Sequence, residues 1–95
     1  MKNYDHHGDL YKAVSLIRNR EEAKAFLFDL LTPNELEELS ARFQIAYRLN
    51  QKGHDSYTEI SKKLKVSTST VTRVARFLSA EKSGYKTILK RFKND

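Results

Sequence analysis

Between Ser56 and Leu78 two short stretches of helical hydrophobic spacing are separated by a break that leaves room only for a tight turn. Tyr57, Ile60, Ser61 and Leu64 fall on one helical face; after Lys65-Val66-Ser67, the residues Val71, Val74, Ala75 and Leu78 repeat the i, i+3, i+4, i+7 spacing. Two apolar faces this close in sequence must cover each other, which predicts a helix-turn-helix unit over residues 56–80. Small Ser61 lets the helices approach. Lys65 stands where such a turn often uses glycine for a left-handed conformation, a departure that costs about 1 kcal/mol. On the second helix, the face opposite Val71 and Val74 holds Ser69, Thr72, Arg73 and Arg76, side chains able to reach base edges and phosphates. At its start, Ser67, Thr68, Ser69 and Thr70 combine backbone N–H groups with short hydroxyls, an arrangement that can hold a phosphate and is equally an ordinary helix cap.

Charge divides unevenly along the chain. Met1 to Gly53 carries eight Lys and Arg against eight Asp and Glu, whereas His54 to Asp95 carries ten against four. The whole net charge of +6 therefore sits in the half that contains the two-helix unit. A basic head on a neutral body is the electrostatic footprint of a polyanion binder, and it adds Lys62 and Lys63 as phosphate contacts. Taken alone, a lysine-rich helix is as readily a solvated surface, and helix pairs of this kind also occur in proteins that never touch DNA. The apolar spacing and the charge partition together favour sequence-specific binding to double-stranded DNA. The other reading is a small basic helical adaptor that docks a protein or a structured RNA.

The rest of the chain reads as helix, because boundaries carry caps and no segment sustains strand alternation. A first helix is expected from about Asp9 to Ile17, after a loose start over residues 1–8. Asn19 with Glu22 is a capping-box pattern for a second, from about Arg20 to Leu31. Thr32-Pro33-Asn34-Glu35 is the strongest start signal in the chain, with Thr32 as cap, Pro33 at the first helical position and Glu35 reaching back. It opens a third helix that runs to about Gln51, with Gly53 as a left-handed stop. Ser56 with Glu59 repeats the box, Ser67 or Thr68 caps the next helix to about Glu81, and Ser83-Gly84 precedes a last helix over residues 85–93, with Ile88, Leu89 and Phe92 as its stripe.

Two segments carry more apolar surface than a chain of 95 residues can easily cover. Ala25 to Leu31 is apolar nearly all round its helix, and in the third helix Leu36, Leu39, Phe43, Ala46 and Asn50 form a stripe widened by Ile45 and Leu49. This predicts one helical domain whose residues 9–53 form a dimerisation body, with a compact monomer as the alternative. The chain has no cysteine, which removes disulfides and cysteine-based zinc sites. His6, His7 and His54 have no metal-ligand spacing. No nucleophile–base pair, Gly-rich phosphate loop or membrane-length apolar run is present, so no enzyme, cofactor, metal or membrane partner is expected, and a cytoplasmic location is.

The stretch Leu31-Thr32-Pro33-Asn34-Glu35-Leu36-Glu37-Glu38-Leu39-Ser40-Ala41-Arg42, followed by Ser69-Thr70-Val71-Thr72-Arg73, resembles the bacterial Trp repressor superfamily, and within it the YerC/YecD-type Trp repressor-like proteins. The similarity spans roughly Leu30 to Phe92. It implies a bacterial, all-α, six-helix chain that forms an intertwined homodimer with two helix-turn-helix heads, acts as a repressor on a near-palindromic operator, and associates with the nucleoid when bound. In tryptophan-sensing members two arginines sandwich the corepressor's indole; by resemblance they correspond to Arg42 and Arg73. Those members keep a glycine and a small hydroxyl residue where this chain has Val74 and Phe77, side chains expected to fill the pocket. The resemblance therefore implies a regulator that does not respond to tryptophan, with Arg73 left to DNA or to structure.

Overall fold

The computed structural model describes residues 5–93. The regular structure among them is entirely helical: α1 (His6–Ser15), α2 (Arg20–Leu30), α3 (Pro33–Leu49), α4 (Tyr57–Leu64), α5 (Thr68–Leu78) and α6 (Gly84–Lys93). None of these helices is long and apolar enough to cross a membrane. The chain divides into two compact units, Met1–Leu36 and Glu37–Asp95.

Local hydrogen bonding explains where the helices start and stop. Asp5 caps α1, its carboxylate accepting from Gly8 N–H at 3.0 Å, so this helix begins at His6 rather than near Asp9 and ends at Ser15 rather than Ile17. Helix thus already covers residues 6–8 of the start expected to be loose; residues 1–4 lie outside the described residues. Asn19 accepts from Glu22 N–H at 2.8 Å, while the Glu22 carboxylate takes the N–H of Arg18 at 3.0 Å, one residue earlier than a capping box requires. Thr32 and Glu35 form the full reciprocal box, with Glu35 N–H to Thr32 Oγ1 at 3.2 Å and Thr32 N–H to Glu35 Oε1 at 2.9 Å. These bonds from Thr32, backbone first and side chain second, hold the Glu35 carboxyl below its ordinary range. Beyond α3, Gly53 takes the left-handed φ of +71° expected of it.

The first unit has little interior of its own. Neither α1 nor α2 contains a fully buried residue, and Tyr11, Leu16 and Phe28 are 68%, 63% and 74% exposed. The second unit holds the core: Ile45, Ala46 and Leu49 of α3, Ile60 of α4, Val71, Val74 and Leu78 of α5, and Leu89 of α6 are all buried, with Leu64 and Val66 packed against them. These are the positions at which the helix pair needs apolar residues, and Ser61 is buried beside them. Tyr57, expected on the same face, stays outside. The buried face of α3 follows Ile45 and Leu49, leaving Leu39 and Asn50 exposed. On α6 only Leu89 of the expected stripe is buried; Phe92 instead meets Phe43 and Tyr47 edge-on at 5.4 and 5.8 Å between ring centroids.

The turn between α4 and α5 is made by Lys65 at φ 56°, ψ 46°. Its N–H bonds Ser61 O as the left-handed cap of α4, and Val66 N–H bonds the same carbonyl at 3.0 Å. Lys65 is the one non-glycine residue with positive φ among those described. Relief of that conformation offsets the added chain entropy of glycine, so Lys65→Gly should raise stability by about 0.5 kcal/mol. Urea denaturation midpoints check this.

Candidate nucleic-acid interface and adjoining groove

Because Val71, Val74 and Leu78 commit one side of α5 to the core, its other side is turned outward by helical geometry. Ser69, Thr72, Arg73 and Arg76 are all exposed there. Ser67 is the cap of α5, with Thr70 N–H donating to its Oγ at 3.1 Å. Its hydroxyl also meets Ser69 Oγ at 2.9 Å and Thr70 Oγ1 at 2.8 Å, so three hydroxyls cluster at the helix start, beside exposed Thr68. Thr72 donates its hydroxyl proton to Thr68 O at 3.0 Å. What Thr72 offers outward is therefore an acceptor.

The two α4 lysines differ. Lys62 is exposed, whereas Lys63 Nζ lies 2.6 Å from Asp55 Oδ2, an ion pair at the helix pair's own entrance. The hydrogen bond and charge of Lys63, aided by Arg48 and His54, hold the Asp55 carboxyl below its ordinary value of 3.8. Since the folded-state pKa is the lower one, the stabilisation is fully present above pH 3.8. It is lost as pH falls through the folded value. Lys63→Gln should return Asp55 toward its ordinary titration, followed by carboxyl chemical shifts, and should flatten the acid limb of the stability curve. Both groups are solvent-accessible, so the effect should shrink in high salt.

Beside α5 lies an open groove of about 600 Å³ whose lining includes Arg42, Thr70, Arg73, Val74, Phe77 and Tyr85. All its lining residues belong to the second unit. Val74 and Phe77, the two residues expected to fill the pocket, both line this groove. Val74 is spent on the core and only 2% exposed, while Phe77 remains 47% exposed. The Arg73 and Arg76 guanidinium carbons stand 5.1 and 5.6 Å from the Phe77 ring centroid, within the range of cation–π attraction. Sequence reasoning treated Phe77 only as an obstruction, although the i, i+4 spacing from Arg73 was the available signal. The Asp55 partner of Lys63, eight positions away, left no periodic signal.

The Trp repressor protein family model matches residues 6–93. The chain belongs to the Trp repressor family. It is 32% identical over 84 residues to the uncharacterised protein YerC of Bacillus subtilis (strain 168), covering 88% of this chain and 79% of that one. Two solved structures share the fold. A Staphylococcus aureus protein assigned as a Trp repressor superposes with a TM-score of 0.79 at 35% identity, over 93% of this chain and 86% of the other. A TrpR-like protein from Eubacterium eligens ATCC 27750 gives 0.78 at 34%, over 90% and 87%. The architecture is thus the all-α Trp repressor-like fold, in a family of regulators rather than enzymes. The two arginines taken from the family resemblance, Arg42 and Arg73, both line the groove.

Proposed function

We propose that this Trp repressor family member is a homodimeric, sequence-specific DNA-binding regulator, acting as a repressor, that reads its operator with α5. The observation that carries this reading is the outward face of α5, where Thr72, Arg73 and Arg76 are exposed opposite a side sealed into the core. Ser67, Thr68, Ser69, Thr70 and Lys62 supply phosphate contacts around it, and Lys63 contributes less because its charge is already met by Asp55. The apolar side chains left exposed on α1 and α2, Tyr11, Val14 and Phe28 among them, support dimerisation, since a second copy would take them out of water. Two symmetry-related heads would meet successive major grooves about 34 Å apart, which calls for a near-palindromic operator.

Selection of bound fragments from random duplex DNA tests the reading directly. Recovery of a palindromic consensus, bound with steep salt dependence, is the expected result. Affinity indifferent to duplex sequence would favour the basic adaptor. Sedimentation at micromolar concentration should give twice the 11.1 kDa chain mass, and a monomer there would remove the two-fold operator.

Tryptophan is not the effector in this reading. Val74 and Phe77 stand in the groove where an indole would need space, and Arg73 already has an aromatic partner in Phe77, so an incoming indole must compete for that guanidinium. A ligand shifts DNA binding only by its difference in affinity between two states. Calorimetry with millimolar tryptophan should register no saturable heat, and DNA affinity should not respond to it.

A further inference from the structure

We infer that Phe77 is a positioning residue for DNA recognition: its ring holds Arg73 and Arg76 together in the arrangement that reads the operator. The inference rests on the DNA-binding reading above and adds to it the residue that sets the arginines' geometry. Phe77 sits at the edge of the buried side of α5, between Val74 at 2% and Leu78 at 8% exposure, yet is itself 47% exposed. An apolar ring left half in water forgoes much of its burial energy. Its surroundings supply another use. Side chains on a helix lean toward its N-terminus, so the ring of residue 77 lies over the turn that carries Arg73, its i−4 neighbour. Arg76, adjacent in sequence, also places its guanidinium over the ring, and the two guanidinium carbons stand 5.1 and 5.6 Å from the ring centroid.

Two cations near one point repel each other, and each arginine has many rotamers to lose on binding. A ring close to both answers both problems. Its negative face attracts both guanidinium groups, and stacking restricts their orientations before DNA arrives. Ordering done in the free protein need not be done again in the complex, so the gain appears as affinity for the duplex on which both arginines meet their bases. Non-specific duplex needs only charge, which the arginines carry in any orientation.

The test compares Phe77→Leu with Phe77→Tyr and Phe77→Trp in the full chain, on the selected operator and on a scrambled duplex. Phe77→Leu should weaken operator binding about fivefold with less than about twofold change on the scrambled duplex, the size expected when cation–π attraction at an exposed site is lost. Tyrosine and tryptophan, which keep the ring face, should bind as the unaltered protein does. Equal binding by the leucine variant overturns the proposal. So does an equal loss in all three variants, which would make Phe77 a packing residue. Should the leucine variant fail to fold, the unaltered protein decides: the δ protons of Arg73 and Arg76 should resonate upfield under the ring current, and ordinary shifts at both would overturn the contact. Absence of duplex discrimination by the unaltered protein defeats the DNA reading itself, a result distinct from discrimination that survives in Phe77→Leu.

Discussion

Ile60→Ala should lower the unfolding free energy by about 3 kcal/mol, the largest loss expected from any single truncation in the helix pair. Ile60 is fully buried, at 0% exposure, in a cluster that takes Ile45 from α3 and Val71 from α5. Removing three carbons there loses their transfer energy and leaves a cavity, because α4 is a short helix of eight residues held by its cap and this one contact face. Tyr57→Ala serves as the control from the same helix. Its side chain is 41% exposed, so the cost should stay near 1 kcal/mol. Urea denaturation followed by helical circular dichroism measures both. Against the 5–15 kcal/mol typical of a whole domain, a loss of this size would also weaken DNA binding by depleting the folded head. Similar midpoints for the two variants would show that the core does not pass through Ile60.

The same residue shows how much of the fold is legible in the chain. Ile60, Ser61, Val71 and Val74 announce their burial by spacing alone, since a helix of 3.6 residues per turn leaves each only one side to face. Thr32 and Glu35 announce their box because capping is local chemistry between residues three apart. What spacing does not carry is the identity of the opposing surface. The stripe Leu36, Leu39, Phe43, Ala46, Asn50 meets the core only at Phe43 and Ala46, beside Ile45 and Leu49, leaving Leu39 at 43% exposure. At the candidate site, what spacing does not carry is direction. Val74 and Phe77 both line the groove, but Val74 is almost wholly buried in the core whereas Phe77 stays half-exposed with two guanidinium groups near its ring. A side chain's size bounds the space it takes, but its direction decides where.

Arg76→Ala should weaken binding to the selected operator by about 1 to 3 kcal/mol, roughly fivefold to 150-fold, while leaving the thermal melt unchanged. The guanidinium is exposed on the outward side of α5 and makes no salt bridge among the described residues, so its removal takes nothing from the core. Its planar fork suits two acceptors on one base edge, and Arg76→Lys keeps the charge without the fork. The lysine variant should therefore recover binding to scrambled DNA but not discrimination. Thr72→Ala should fall at the low end of the same range, because its hydroxyl proton is already given to Thr68 O at 3.0 Å and only an acceptor remains for the base. Lys62→Ala provides the contrast: a smaller loss, equal on every duplex, with the salt slope reduced by about 1. These patterns separate reading from attraction. If both α5 variants bind the operator as the unaltered protein does, the reading surface lies elsewhere on the molecule and the outward face of α5 is a solvated helix surface.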